Sequence, residues 1–332
     1  MGVPFWAGDN WGGWRYDGAD MSFWTDKVVV VTGGSAGLGL EIARALGPRG
    51  AKIGIVARDE GRLRTAVQEL ETNGAHCVAL AADVTDEGQV QQLVGQINHR
   101  LGPPSVLINN VGASTRRAVI EVRPDEYRQF FELNFMSAVN MTRALLPALV
   151  QQRGSIVNIG SLASKTAWPL IAPYAVGKAA LGAYTQQLRL ELAPTVHVML
   201  VCPGPLKRAE SSSRYVGTEG LPLAAQLPGA GARVARIRPE WLAQKILRGC
   251  ERKSPEIIVP FRAKLLFALA QLSPRLGDWM LRRMAGASQA RVDPVDFFRT
   301  ANHTSDSTLE SFAPTSCGTR LSSEAVADGP KH

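Results

Sequence analysis

The sequence predicts an α/β fold, a doubly wound parallel sheet with helices on both faces. Three observations carry that prediction. Short β-branched runs alternate with stretches of helical period from Lys27 to Pro260. The runs are apolar throughout rather than alternately apolar and polar, so both faces of each strand are buried. A glycine-rich turn, Thr32 to Gly39, joins the first strand to the first helix. Strict strand–helix alternation implies right-handed crossovers and a single wound sheet.

The elements follow in order. Residues 1–26 form a Trp/Gly-rich extension with Trp6, Trp11, Trp14 and Trp24 at no clear period. Irregular packing on the body is the favoured reading, because buried aromatics usually serve cores. Contact with a lipid interface or a partner is the alternative, because Trp suits wet–dry boundaries. Strands are expected at 27–32, 52–57, 76–81, 105–109, 155–160, 196–202 and 256–260, and helices at 37–47, 60–73, 87–100, 125–151, 173–192 and 239–251. Together these make one domain over 27–260. The segment 206–238, with four glycines, is long for a structureless connection and suits a substrate lid. Residues 261–284 read as an amphipathic helical appendage broken at Pro274, with Arg262, Lys264, Arg275, Arg282 and Arg283 flanking the apolar face. Such a pair either lies in a membrane interface or caps the domain or a dimer. The tail 285–332, rich in Ser, Thr, Asp and Ala, is expected to be mostly unstructured.

Composition narrows the function classes. With 45% apolar and 20% charged residues, whole-chain disorder is excluded. The longest aliphatic run, Val28 to Val31, is far short of the ~20 residues of a membrane-spanning helix. No secretory signal is visible. Cys77, Cys202, Cys250 and Cys317 lie far apart, without metal-ligand spacing. A disulfide scaffold and a metal site are therefore not expected, and a cytoplasmic location is, with membrane-peripheral placement as its variant. The net charge of +8 resides in the body, since residues 285–332 hold four cations against six carboxylates. A basic body suits an anionic cofactor or anionic lipid. No nucleic-acid-binding motif accompanies the charge, so no nucleic-acid partner is expected.

The turn Thr32-Gly33-Gly34-Ser35-Ala36-Gly37-Leu38-Gly39 has the context of a phosphate-binding loop. Its glycines let a pyrophosphate approach bare backbone. The following helix aims unsatisfied N–H groups and its positive dipole end at the same place. Gly33, Ser35, Gly37, Leu38 and Gly39 are accordingly cofactor-binding candidates. At the end of the second strand, where an acid would bind the ribose of NAD, stand Ala57 and then Arg58. A guanidinium pairs with a 2′-phosphate that an acid would repel, so NADP(H) is the expected cofactor.

The spacing Thr-Gly-x-x-x-Gly-x-Gly resembles the short-chain dehydrogenase/reductase family. That resemblance, which covers residues 28–260, implies roles for further residues. Asp83-Val84 match the family's pair beside the adenine. Asn109-Asn110-Val111-Gly112 resemble its Asn-Asn-Ala-Gly motif, with Val111 for Ala, and make Asn110 and Gly112 cofactor-binding candidates. Pro203-Gly204 fit its turn beside the nicotinamide carboxamide, although Arg208 stands where the family often has Thr.

Tyr174 and Lys178, four apart on an expected helix, share one face. A nearby cation favours the phenolate and brings tyrosine, whose free pKa is near 10, toward working pH. Lys178 also has the reach for the nicotinamide ribose. Ser161, at the end of the fifth strand, precedes Tyr174 by the family's thirteen residues and is placed to donate to a substrate oxygen. Asn134 falls inside a helix, where the resemblance implies that it holds a water linking the lysine to solvent. The catalytic candidates are thus Asn134, Ser161, Tyr174 and Lys178. Residues 113–119, 162–172 and the loop after Gly204 should shape the substrate pocket. There Trp168, Leu170, Ile171 and Leu206 favour an apolar or lipid-like carbonyl or alcohol, while Arg116, Arg117, Lys207 and Arg208 are the nearby cations. The implied protein is a single-domain Rossmann-type, NADP(H)-dependent oxidoreductase, assembled as a dimer or tetramer through the helices that hold Asn134 and Tyr174. A non-catalytic nucleotide-bound scaffold or redox sensor on the same fold is the rival reading.

Overall fold

All four valines of Val28 to Val31 are buried, and their side chains divide between the two faces of a sheet. Val29 and Val31 enter one core and Val28 and Val30 the other, as a period of two requires. The computed structural model describes residues 21–207, 215–216 and 236–285, which belong to the unit Met1–Ala290. A second unit, Arg291–His332, lies outside the described residues.

In chain order the elements are β1 (Val28–Thr32), α1 (Gly37–Leu46), β2 (Lys52–Ala57), α2 (Glu60–Thr72), β3 (His76–Ala81), α3 (Glu87–Arg100) and β4 (Val106–Asn109). There follow α4 (Pro124–Phe131), α5 (Ser137–Gln151), β5 (Ser155–Ile159), α6 (Tyr174–Leu192), β6 (His197–Pro203), α7 (Pro239–Glu251) and β7 (Glu256–Val259). Two further helices close the described chain, α8 (Arg262–Leu272) and α9 (Pro274–Ala285). The seven strands form one parallel sheet in the order β3-β2-β1-β4-β5-β6-β7. Local chemistry sets the helix starts. Asp59 and Asp86 cap α2 and α3 by accepting from the N–H of Arg62 and Gln89. Pro124 and Pro239 occupy first turns, where a missing N–H is harmless.

One layer packs Ile42 and Leu46 of α1, Leu63 and Leu70 of α2, and Leu242 and Ile246 of α7 against the sheet. The other uses Leu93 and Ile97 of α3 with Met141, Leu145 and Leu149 of α5. Trp24, in the helical turn Met21–Trp24, is fully buried in the first layer, and its Nε1 donates to Glu251 over 2.6 Å. Trp6, Trp11 and Trp14 lie outside the described residues.

The expected helix over 125–151 is interrupted. Between α4 and α5 the turn Glu132–Met136 is a π-helix, wider by one residue, and it contains Asn134. Of the segment 206–238, Leu206 bridges Ile237, and Tyr215–Val216 pairs in parallel with Ser114–Thr115. Residues 208–214 and 217–235, and with them most of the expected lid, lie outside the described residues. No described helix is long and apolar enough to cross a membrane.

Candidate active site

The chain runs from β1 outward to β3 and then returns to the other side of β1 as β4. A crevice opens at the carboxyl ends of strands where the winding reverses in this way. Here it measures about 1050 Å³ and runs past Gly33, Gly37, Arg58, Asp83, Asn110, Gly112, Ser161, Tyr174 and Lys178.

The glycine turn forms its floor. Gly33 (φ +63°) and Gly37 (φ +55°) adopt left-handed backbone conformations that L side chains rarely take. A Cβ on Gly39 would run into the Gly33 carbonyl and the Asn110 amide. Asn110 ties the turn to β4, because its Nδ2 donates to the carbonyls of Thr32 (3.0 Å) and Gly33 (3.2 Å). The N–H groups of Asn110 and Val111 in turn meet the Thr32 hydroxyl. No side chain caps the start of α1, and a Cβ on Gly37 would meet nothing within 4 Å. The free N–H groups of that helix end, open to the crevice, fit a pyrophosphate. Leu38, Val84, Pro203 and Gly204 also line the crevice, whereas Ser35 and Gly39 shape the turn without lining it.

At the outer end the exposed guanidinium of Arg58 lies 3.6 Å from the Asp83 carboxylate. Asp83 is itself held by the N–H and hydroxyl of Thr85 at 2.9 and 2.7 Å. Arg62, in the first turn of α2, lines the same crevice and was not singled out from sequence. Its place at the start of the helix that follows Arg58 was the available signal.

At the inner end Asn134 and Lys178 are buried, Lys178 lining the crevice and Asn134 lying behind its wall. The wider π turn directs Asn134 toward the end of β4, where its Oδ1 accepts from the Ala113 N–H (3.2 Å) while its Nδ2 donates to the Phe130 carbonyl (3.0 Å). A π turn within a longer helical run often marks a functional position. Lys178 Nζ donates to the Ile159 carbonyl over 2.8 Å. Burial brings its pKa down to about 8, with a small opposing contribution from Cys202. Gly112 sits between the two groups, since a Cβ there would lie 2.7 Å from Asn134 Oδ1 and 3.2 Å from Lys178 Nζ. Ser161 caps the short turn Leu162–Ser164, its Oγ accepting from the Ala163 N–H (3.1 Å). Tyr174 opens α6 and packs with Trp168, Ala163 and Ile171.

The structure divides the substrate-pocket candidates. Arg116, Trp168, Ile171, Leu206 and Lys207 line the crevice. Leu170 is buried without lining it, and Arg117 lies 3.7 Å from Glu126. The Arg116 guanidinium donates to the Ser114 hydroxyl and the Thr115 carbonyl. Arg208 lies outside the described residues. The appendage expected either at a membrane interface or as a cap on the domain or a dimer supplies the far wall, where Ala263, Leu266 and Phe267 of α8 and Leu281 of α9 close the apolar end. Their spacing of i, i+3 and i+4 marks one face of α8. Among the described residues no group of His, Cys, Asp and Glu has the arrangement of a metal site.

Comparison with known proteins agrees with this geometry. The family model described as short chain dehydrogenase matches residues 27–216. A ketoacyl reductase, HetN, of Nostoc sp. is 32% identical over 271 residues, covering 79% of this chain and 90% of its own. Dehydrogenase/reductase SDR family member 7B of Xenopus laevis is 31% identical, over 83% of this chain and 86% of its own. Among solved structures, a variant of actinorhodin polyketide ketoreductase with NADPH aligns with TM-score 0.62 at 29% identity, over 70% of this chain and 94% of that one. A short chain dehydrogenase/reductase of Burkholderia phymatum in complex with NAD aligns at 0.69 with 24% identity, over 76% and 96%, a likeness of fold. With the sheet order, the glycine turn and a matching model over more than half of its length, the chain belongs to the short-chain dehydrogenase family of nicotinamide-dependent oxidoreductases.

Proposed function

We propose that this chain is an NADP(H)-dependent reductase of an apolar or lipid-like carbonyl, able to run in reverse on the corresponding alcohol. One observation carries the proposal: a single crevice joins the glycine turn, the cations Arg58 and Arg62, the groups of Ser161, Tyr174 and Lys178, and an apolar far wall. Bound NADP(H) would supply or accept the hydride. Gly33, Gly37 and the start of α1 would hold its pyrophosphate, Arg58 and Arg62 its 2′-phosphate, and Asp83 and Val84 its adenine end.

The remaining steps belong to the protein. Ser161 Oγ donates to the substrate oxygen and holds it beside Tyr174. The Tyr174 hydroxyl gives up its proton as negative charge develops on that oxygen, and regains it in the reverse direction. Lys178, held on the same helix face, favours the phenolate by its positive charge. Its depressed pKa, about 8, places its own titration near neutral conditions. Asn134, tied to the Ala113 N–H and the Phe130 carbonyl, fixes the wall at Gly112 and would hold a water linking the lysine to solvent. Trp168, Ile171, Leu206, Leu266 and Phe267 exclude water from the reacting end and favour an apolar substituent. Assembly through α4 to α6 as a dimer or tetramer is part of the same reading, supported by the exposed Val176 and Leu190 on α6.

The test is Tyr174→Phe, assayed by NADPH oxidation over a panel of ketones and aldehydes. Turnover should fall by ~10³-fold or more, since an acid–base group contributes about 10²–10⁴. NADPH binding, followed by fluorescence, should stay within about threefold of wild type. A variant that turns over normally would remove Tyr174 from the chemistry. A wild type that binds NADPH and reduces nothing would favour the scaffold or sensor.

A further inference from the structure

The α8–α9 hairpin is apolar on two sides. Ala263, Leu266 and Phe267 face inward and line the crevice. On the opposite side of α8, Phe261, Leu265, Leu269 and Leu272 recur at intervals of three and four and so form a second stripe. That stripe is exposed: Phe261 and Leu272 each keep 76% of their surface and Leu265 keeps 65%. On α9, Leu276 and Trp279 are exposed as well. A helix that is apolar all round is ordinarily buried all round. Here one side is exposed, and a run of large aliphatic and aromatic side chains along it is more than scattered surface residues would produce.

The charges around the patch identify what covers it. By helix spacing, Arg262 and Lys264 lie on either side of the α8 stripe. Arg275, Arg282 and Arg283 surround Trp279, and the Arg283 guanidinium lies over the indole at 5.8 Å. Within residues 261–283 five cations thus accompany these apolar side chains against one carboxylate, Asp278. A second copy of the chain would meet the patch with the same patch across a two-fold axis, setting cations against cations. An anionic lipid surface complements both features, because apolar side chains enter the acyl boundary while Lys and Arg stay among the headgroups. Trp at the rim of such a patch suits that boundary.

We infer that the outer face of the α8–α9 hairpin docks the protein on an anionic bilayer. Docking there sets the apolar end of the crevice beside the membrane, since the inner face of the same hairpin forms its wall. This consequence rests on the reductase reading, whereas the docking surface itself does not.

The experiment is flotation of the full-length chain with phosphatidylcholine vesicles, with and without phosphatidylglycerol. Wild type should float with the anionic vesicles, stay behind with the neutral ones, and be released by salt. The triple variant Leu265→Glu/Leu272→Glu/Trp279→Glu, at exposed positions, should lose flotation while keeping its thermal midpoint and its NADPH oxidation on a water-soluble carbonyl. Each cation removed, Arg282→Gln or Lys264→Gln, should weaken partition by about fivefold. A footprint needs no variant: acetylation of Lys264 in wild type should slow on anionic vesicles. Failure of wild type to float, flotation undiminished in the triple variant, or unchanged Lys264 labelling would each overturn the inference. So would a fall in molecular mass by light scattering in the triple variant, which would assign the face to a second copy. None of the binding readouts involves turnover, so their failure is separate from failure of the reductase reading.

Discussion

The inner site is built around a residue with no side chain. Gly112 passes between Asn134 Oδ1 and Lys178 Nζ, and each neighbour is held by backbone groups. Asn134 is pinned by backbone groups of Ala113 and Phe130, and Lys178 by the Ile159 carbonyl. In Gly112→Ala the added methyl would sit 2.7 Å from the amide oxygen and 3.2 Å from the ammonium. Asn134 must then shift, and the lysine must give by a few tenths of an ångström. We expect kcat to fall by ~10²-fold, the scale of small misplacements in a catalytic constellation, with the circular dichroism spectrum unchanged. A kcat within about threefold of wild type would show that this spacing does not matter. The glycine was legible from sequence as part of a motif, but its task was not. Its neighbours come from β4, the π turn and α6, and only the fold brings those together.

At the scale of elements, legibility follows burial. The strands were readable because parallel strands covered on both faces are apolar throughout, as in Val28 to Val31 and Ile53 to Val56. The π turn was not, since one extra residue within a helical run scarcely alters apolar periodicity around Asn134. Helix α8 was half legible. With apolar stripes on opposite sides, its sequence does not say which one the domain takes. The structure gives Phe267 to the crevice wall, and a prediction follows. Phe267→Ala removes part of a buried ring, so it should lower stability by about 3 kcal/mol. It should also raise KM for a long apolar carbonyl by about tenfold, with kcat little changed, because the contact is made equally in ground and transition states. Steady-state kinetics on a long and a short carbonyl would check this. An equal effect on both substrates would show that the wall does not touch the apolar chain.

The whole molecule gathers in one crevice the groups proposed for chemistry and those proposed for cofactor choice. This makes the proposed NADP(H) preference testable without any substrate. Arg58 is exposed and leans on Asp83, so the outer end already balances a carboxylate against a cation, with Arg62 beside them. A 2′-phosphate would draw both guanidiniums and gain charge-assisted hydrogen bonds. In Arg58→Asp a second carboxylate replaces the partner of Asp83. It would repel the phosphate and offer acceptors to an unphosphorylated ribose. A ligand present at a hundred times its Kd stabilises the native state by about 2.7 kcal/mol. At equal concentrations NADPH should therefore raise the wild-type melting temperature several degrees more than NADH, and Arg58→Asp should reverse that order. Equal shifts from both cofactors in wild type would mean that Arg58 does not read the phosphate. The preference would then have to come from Arg62 or be absent, while the Tyr174 chemistry at the other end would stand untouched.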